Sequence, residues 1–517
     1  MKINLKIYGV VALALFAISL ASCRKDFNFK ESSGNLEFSK DTVFLDTIFS
    51  NIGSSTYTLK VYNRENNDVI IPFIGLQNGE QSSYRLNVDG LSGKTFNDVP
   101  ILAKDSMFIF IETTFDITEI GQNEFLYTDA IQFENTGTTK TVELVTLVKD
   151  AIFLYPQLLE NGVTETLLLG LDQEQNEIRI EGFFLEGDTL NFNNQKPYVI
   201  YGYAAVPEGE TLNIAAGTRV HFHKDSGILV SPGATIEING TLSEDQIALE
   251  NEVIFEGDRL EPEFAETPGQ WGTIWITQGS VNNQINHLTL KNATIGLLVD
   301  GDETNTTPTL SIDNSQLYNS STTNLWARTA RITSTNTVYG GSGSSSLYCN
   351  LGGNYDFKHC TIANYWVNGF RNAPAVFIDN FISFSDGSSI SADLERASFS
   401  NCIIDGNRNI ELLLSANETN TFQFNFLNCS VQFDDINGDF VENPLYNFNN
   451  DTFFENISLN LDPQFEDARN NLFLLQMDSE VLDLGDLNTA LTVPNDILGN
   501  LRTSLPDLGA FEFTTTQ

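Results

Sequence analysis

The chain has 517 residues, room for two or three ordinary domains or for one domain and a long repeat array. It carries 27 Lys and Arg against 68 Asp and Glu, a net charge of −41. A surface that acidic, with no Lys/Arg stripe, repels phosphate backbones and anionic lipid headgroups, which argues against nucleic acid as a partner and against lying flat on a membrane. Four histidines and five cysteines without CxxC spacing predict no zinc site.

In chain order, Met1 to Lys6 holds two lysines and Ile7 to Leu20 is almost wholly apolar. This is the n-region and h-region of a secretory signal, too short to span a bilayer comfortably. Leu20-Ala21-Ser22-Cys23 follows and resembles the bacterial lipobox. The resemblance implies a signal peptide over residues 1–22 and a diacylglyceryl group on the Cys23 thiol. The partner is then a membrane, held through that anchor. Loss of Lys2 and Lys6 leaves the mature chain at 25 − 68 = −43. Arg24 rather than Asp follows Cys23, so the inner-membrane retention signal is absent. The expected location is the outer membrane, facing either the periplasm or the medium. Residues 23–37 read as a polar tether.

Seven short apolar-alternating runs come next: 42–45, 57–62, 69–74, 84–88, 107–115, 127–133 and 141–148. Split by turn-rich stretches, they predict a disulfide-free Ig-like β-sandwich over 38–150. Residues 151–197 read as a connecting segment. From Tyr198 glycine turns precede strands of about three residues, as at Gly209-Glu-Thr-Leu and Gly233-Ala-Thr-Ile. Strands this short suit the coils of a parallel solenoid better than hairpins. An Asn-like residue before a small residue and a strand then recurs at Asn292, Asn314, Asn336, His359, Asn380, Asn401 and Asn428, with spacings of 22, 22, 23, 21, 21 and 27. That period is one coil of a right-handed parallel β-helix, placed here over 198–513. The fold class is therefore all-β, a sandwich followed by a solenoid. Stacked coils lie about 4.8 Å apart, so the six asparagines are read as a structural ladder satisfying buried polar groups. Cys360, Cys402 and Cys429 share the next repeat position and read as small buried hydrophobes in a stack, with a Cys402–Cys429 disulfide left open. His221 and His223 alternate in a strand, but no third metal ligand accompanies them.

The end of the chain carries Leu461-Asp-Pro-Gln-Phe465, Ser479-Glu-Val-Leu-Asp-Leu-Gly485 and Pro506-Asp-Leu-Gly-Ala-Phe-Glu512. In this order they resemble the closing segment of secreted β-helix proteins of the pectin-lyase-like superfamily. With the lipobox and the leading sandwich, the whole chain resembles a Bacteroidetes-type β-helix lipoprotein. That superfamily includes polysaccharide lyases, glycoside hydrolases, esterases and non-catalytic adhesins, so the resemblance implies a fold and not an activity.

No catalytic residues are assigned. The acidic groups Asp300-Gly-Asp302-Glu303 and Asp434-Asp435-Ile-Asn437-Gly-Asp439 read as solvated turns. The second alternates oxygen ligands as calcium loops do, which makes Ca2+ the one candidate cofactor, but it lacks the glycine placement and terminal Glu of an EF-hand. Asp386, Asp393 and Asp405 offer no selected pair for hydrolysis, and Asp405-Gly-Asn-Arg408 reads as a loop salt bridge. Trp271 and Trp275 are the candidate ligand-binding residues, able to stack on sugar faces; Trp326, Trp366 and Tyr365 could extend such a face. Asp41-Thr-Val, Asp46-Thr-Ile, Asp105-Ser-Met and Asp188-Thr-Leu match the O-glycosylation acceptor pattern of the same phylum. The expectation is a non-catalytic binding or adhesion protein for glycan or envelope components. The alternative is a polysaccharide lyase or glycoside hydrolase acting along the β-helix groove.

Overall fold

A computed structural model describes residues 29–118, 121–135, 137–160, 162–172, 174–502 and 504–515. The lipobox and Cys23 lie outside them. Among the described residues no helix is long and apolar enough to cross a membrane. The chain divides into two units, Met1–Asp150 and Ala151–Gln517.

Strict alternation builds the first unit. In Tyr57–Asn63, Leu59 and Val61 are buried while Thr58 and Lys60 face out, the period-2 pattern of a half-buried strand. One sheet runs Lys30–Glu31, Val69–Leu76, Glu124–Asn135, Thr138–Lys149, Thr42–Phe49, with Thr95–Ile101 also on Val69–Leu76. The other runs Leu36–Phe38, Tyr57–Asn63, Ser106–Thr113, Tyr84–Val88, Leu91–Gly93. Val43, Ile71, Ile131 and Leu144 of the first share one core with Leu59, Leu86 and Ile109 of the second. Lys30–Glu31 pairs in parallel with Val69–Ile70, so the chain joins the sandwich inside the stretch read as a tether. Thr95–Ile101 was hidden by Asn97, Asp98 and Pro100. A sheet tolerates such residues on an edge strand, where one backbone side needs no partner.

The second unit is a parallel solenoid of three long sheets of eleven, ten and ten strands. Each coil gives one strand to each sheet in turn. Tyr198–Ile200, Tyr203–Val206 and Thr211–Ala215 form one coil, and Arg219–Phe222, Gly227–Val230 and Thr235–Asn239 form the next. Inward residues stack in columns, as in Phe357, Phe399, Phe426 and Phe454, whose rings lie 4.9, 4.8 and 5.5 Å apart. Residues 151–197 are not a connection but the first coil. Ile152–Leu154 pairs with Tyr198–Ile200, Gly182–Phe184 with Tyr203–Ala205, and Asn191–Phe192 with Asn213–Ile214.

The turn from the third sheet back to the first carries a ladder of left-handed residues. His287, Asn314, Asn336, His359, Asn401, Asn428 and Asn456 all have φ between 46 and 54°. Asn tolerates that region better than most residues because its short side chain bonds locally. Asn336 Nδ2 donates to Asn314 Oδ1 at 3.0 Å, and Asn456 Nδ2 to Asn428 Oδ1 at 3.2 Å. Asn401 Nδ2 lies 2.9 Å from His359 Nε2. Two of the six predicted ladder residues sit elsewhere. Asn292 occupies the turn between the first and second sheets, where it accepts from Asn319 at 2.6 Å. Asn380 follows the second sheet and donates to the carbonyls of Asn417 and Thr421. Loop insertions near Asn380 and a His at 287 produced spacings near 22 by mixing turns.

At five of the seven positions the next residue is Ser315, Thr337, Cys360, Cys402 or Cys429, and each donates to the carbonyl two residues back, at 2.7, 2.9, 3.5, 3.4 and 3.3 Å; Leu288 and Ile457 follow the other two. In those five coils a short hydroxyl or thiol satisfies that carbonyl. All four cysteines of the second unit are free and buried.

The coil path ends at Ser458–Leu459 rather than at 513. Residues 460–513 hold a hairpin of Phe465–Asp467 with Leu472–Leu475 and a helix at Leu487–Thr492. They lie back on the outer face of the first sheet, where Phe473 and Phe511 pack with Val338 and Ala363. This explains the closing motif. Gly509 has φ 82°, donates to Asn401 O, and leaves no room for a Cβ, which would fall 2.5 Å from Thr361 Oγ1. Arg502 bonds both Glu512 and Asn336 in the interior.

Candidate functional site

The C-terminal segment packs on the first sheet at Val338, Ala363 and Ile403, the third sheet turns polar residues such as Gln284, Thr333 and Gln423 outward, and the second sheet carries a row of large apolar side chains on its outer face. Strand register places Trp275, Leu298, Trp326, Tyr348, Phe377 and Leu413 in one outward row, each half-buried. Trp326, Tyr348 and Phe377 stack at 5.7 and 4.8 Å. Their faces are turned to one another, so ring edges face outward, while Trp326 Nε1 is buried without a hydrogen-bond partner. A second, polar row stands two residues further along each strand: Thr277, Asp300, Arg328, Asn350 and Asp379. Its members bond among themselves and to the aromatic row. Trp275 Nε1 donates to Asp300 Oδ2 at 2.8 Å, Arg328 to both Asp300 oxygens, and Tyr348 Oη and Asn350 Nδ2 each to Asp379 at 2.7 Å. Beside the polar row a groove of about 670 Å³ runs from Asp300 and Arg328 to Ile382 and Ile390 of the hairpin Phe381–Ser383/Ser389–Ser391.

Of the two tryptophans singled out in the sequence, Trp275 lies in this row. Trp271 does not bind anything at the surface: it is 1% exposed, stacks on Phe222 at 4.3 Å in the core and donates Nε1 to Lys291 O. Its register falls just before the strand, at an inward position. Trp366 is buried in the loop at 365–371, and Tyr365 donates to Asp405 at 2.6 Å. Tyr348 and Phe377 were missed. Trp326 and Tyr348 both stand twelve residues after their ladder asparagines, Asn314 and Asn336, so the signal was present. The insertion before Phe377 broke it for that residue.

Several of the candidate carboxylates are engaged locally. Asp302 accepts from the backbone and hydroxyl of Thr304, and Asp386 from those of Ser388. Asp435 accepts from Asp439 N and Phe440 N. Burial pushes Asp405 up to about 6, opposed by the Tyr365 hydroxyl. Arg408 of the Asp405-Gly-Asn-Arg408 group donates not to Asp405 but to Arg371 O. Its neighbour Glu411 holds Arg371 in a fully buried ion pair, and burial raises that carboxyl. His221 faces Glu256 at 3.7 Å and Gly257 O at 3.3 Å. Among the described residues there is no group of three or more His, Cys, Asp or Glu placed to hold a metal ion.

No protein-family model matches the chain, and no curated protein matches it in sequence. Among solved structures, a family 123 glycoside hydrolase from Clostridium perfringens is similar at 7% identity and TM-score 0.16, covering 23% of this chain and 30% of that one. The periplasmic chaperone SfaE is similar at 12% identity and TM-score 0.15, covering 22% of this chain and 57% of that one. The chain thus spans less than two thirds of either protein's length. At such scores neither likeness bears on activity.

Proposed function

We propose that this chain is a lipid-anchored outer-membrane binding or adhesion protein, of the Bacteroidetes pectin-lyase-like type, with no catalytic activity of its own. In this reading Cys23 carries the anchor and the leading sandwich is an Ig-like spacer. The ligand is an extended glycan or envelope component lying along the second sheet. One observation carries the reading: the outer face of that sheet carries a row of large apolar side chains, aromatic at Trp275, Trp326, Tyr348 and Phe377, flanked by amide, carboxylate and guanidinium groups bonded to one another. Such a surface offers many weak polar and apolar contacts to a long chain. The row carboxylates Asp300 and Asp379 are each held by neighbouring side chains.

The test is affinity electrophoresis of the full chain, with Cys23→Ala to remove the anchor, through gels containing neutral and uronate polysaccharides. Binding to a glycan should fall roughly tenfold in Trp326→Ala and Tyr348→Ala, as for anchors at the centre of an interface. Release of unsaturated or reducing ends during incubation would overturn the non-catalytic assignment.

A further inference from the structure

Ala205 and Leu229 hold the same outward register position as Trp275, yet both are buried. The hairpin of Thr166–Leu171 with Glu177–Phe184 covers them. Its Leu167, Leu169 and Ile180 pack with Tyr203, Ala205, Leu229 and Trp275. Phe184, opposite Ala205 at the start of the sheet, is exposed; the hairpin then interrupts the row as a wall, and the row continues from Trp275.

At the foot of this wall lies a cavity of about 750 Å³, lined on one side by Ile180 and Glu181 of the hairpin and on the other by Tyr201, His223, Lys224 and Thr273. That volume suits a small ring compound. The groups inside are arranged. His223 Nδ1 lies 2.7 Å from Asp258 Oδ2, and the imidazole stacks on Tyr201 with centroids 4.4 Å apart. With Nδ1 held by Asp258, Nε2 is the ring nitrogen left for a ligand. His223 is 48% exposed at its side chain, so this polar pair faces the cavity rather than the core. Nothing in the ladder, the core or the row of aromatic residues needs it.

We propose that this cavity binds the terminal unit of a hydroxyl-rich chain whose body lies along the second sheet, so that the protein recognises chain ends rather than internal stretches. The proposal rests on the glycan reading above. Charge selects the class of end group. Glu181 and Asp225 outnumber Lys224 in the lining, with Asp258 held behind His223, which disfavours a terminal carboxylate or phosphate and favours a neutral or amino sugar. Glu181 and Asp225 accept from hydroxyls or an ammonium. His223 Nε2 supplies one directional contact, and Tyr201 an apolar edge.

The test uses the full chain with Cys23→Ala and isothermal titration of cellohexaose, maltohexaose and chitosan hexamer. Each is offered open, reduced at one end to the alditol, or methylated at the terminal hydroxyl of the other end. The expected result is that one blocked form of the hexamer that binds loses at least tenfold in affinity. His223→Ala, at an exposed site that leaves the core intact, should lose as much for the open form. If both blocked forms bind like the open one, or His223→Ala stays within twofold while Trp326→Ala weakens binding, end recognition is refuted and the glycan reading stands. If no hexamer binds, or Trp326→Ala and His223→Ala both leave binding unchanged, the glycan reading itself fails and this proposal with it.

Discussion

Asn401 tests the ladder most directly, because its backbone and its side chain make separable contributions. Its φ is 54°. Its amide bonds His359 Nε2 at 2.9 Å and Asp486 O at 3.0 Å, and its Oδ1 accepts from Asp486 N at 2.7 Å. Removing three buried bonds costs about 3 kcal/mol at about 1 kcal/mol each. Placing Ala in the left-handed region adds about 1–2 kcal/mol. Asn401→Ala should therefore destabilise by about 4–5 kcal/mol, and Asn401→Gly, which keeps the left-handed backbone at ease, by about 3 kcal/mol. Asn380 is the control. It is absent from the positive-φ residues, so there Gly should be worse than Ala. The assay is urea unfolding followed by tryptophan fluorescence. All four tryptophans (Trp271, Trp275, Trp326, Trp366) lie in the second unit, so the signal reports the solenoid alone. Nearest-neighbour coupling between coils makes a local loss visible in the whole array. Equal midpoints for Asn401→Ala and Asn401→Gly would refute the backbone argument. Shifts below about 0.5 kcal/mol in both, the range of ordinary surface changes, would refute the ladder.

Further outcomes follow from single groups. Asp405 is pushed up to about 6 in the fold, above its ordinary 3.8. Its stabilising share is complete below about pH 4 and is lost as pH rises toward 6, by about 3 kcal/mol. Asp405→Asn should flatten the stability–pH curve over that window, and an unchanged slope would refute the assignment. Trp271→Ala opens a core cavity and should cost about 3–5 kcal/mol, measured by the urea midpoint. A loss under about 1 kcal/mol would place Trp271 at the surface after all. Cys402→Ser should stay within about 1 kcal/mol of the parent, because Ser315 already makes the same bond to the carbonyl two residues back. In the Cys23→Ala chain no thiol should react with Ellman's reagent before unfolding, since the four remaining cysteines are buried. Prompt labelling of even one would contradict that packing.

Much of the solenoid was legible because its repeat is chemical as well as periodic. Asn before a small residue and a strand marks a left-handed turn that few other residues tolerate, and Asn314, Asn336, Asn401 and Asn428 do sit in one such turn. The same rule misplaced Asn292 and Asn380. An Asn in any of three turns looks alike in sequence, and only strand register tells the turns apart. The candidate surface was less legible. Trp271 and Trp275 are four residues apart in an aromatic stretch, yet one is a core plug and the other stands in the outward row. The choice hangs on where the strand begins, since a one-residue change of register turns a side chain to the other face.

Local chemistry repeated along the chain is enough to show an all-β fold whose larger part is a coiled array of short parallel strands with Asn in its strand-linking turns; that the next residue acts as a donor in five of those turns emerges only from the packed coils. Which parts of the outer faces are covered depends instead on contacts made in three dimensions. The C-terminal segment covers the first sheet through Phe473 and Phe511, and the hairpin carrying Leu167 and Ile180 covers the start of the second. Those choices depend on contacts between residues more than a hundred positions apart in one case and on a hairpin folding over its own coils in the other. No local period encodes either of them.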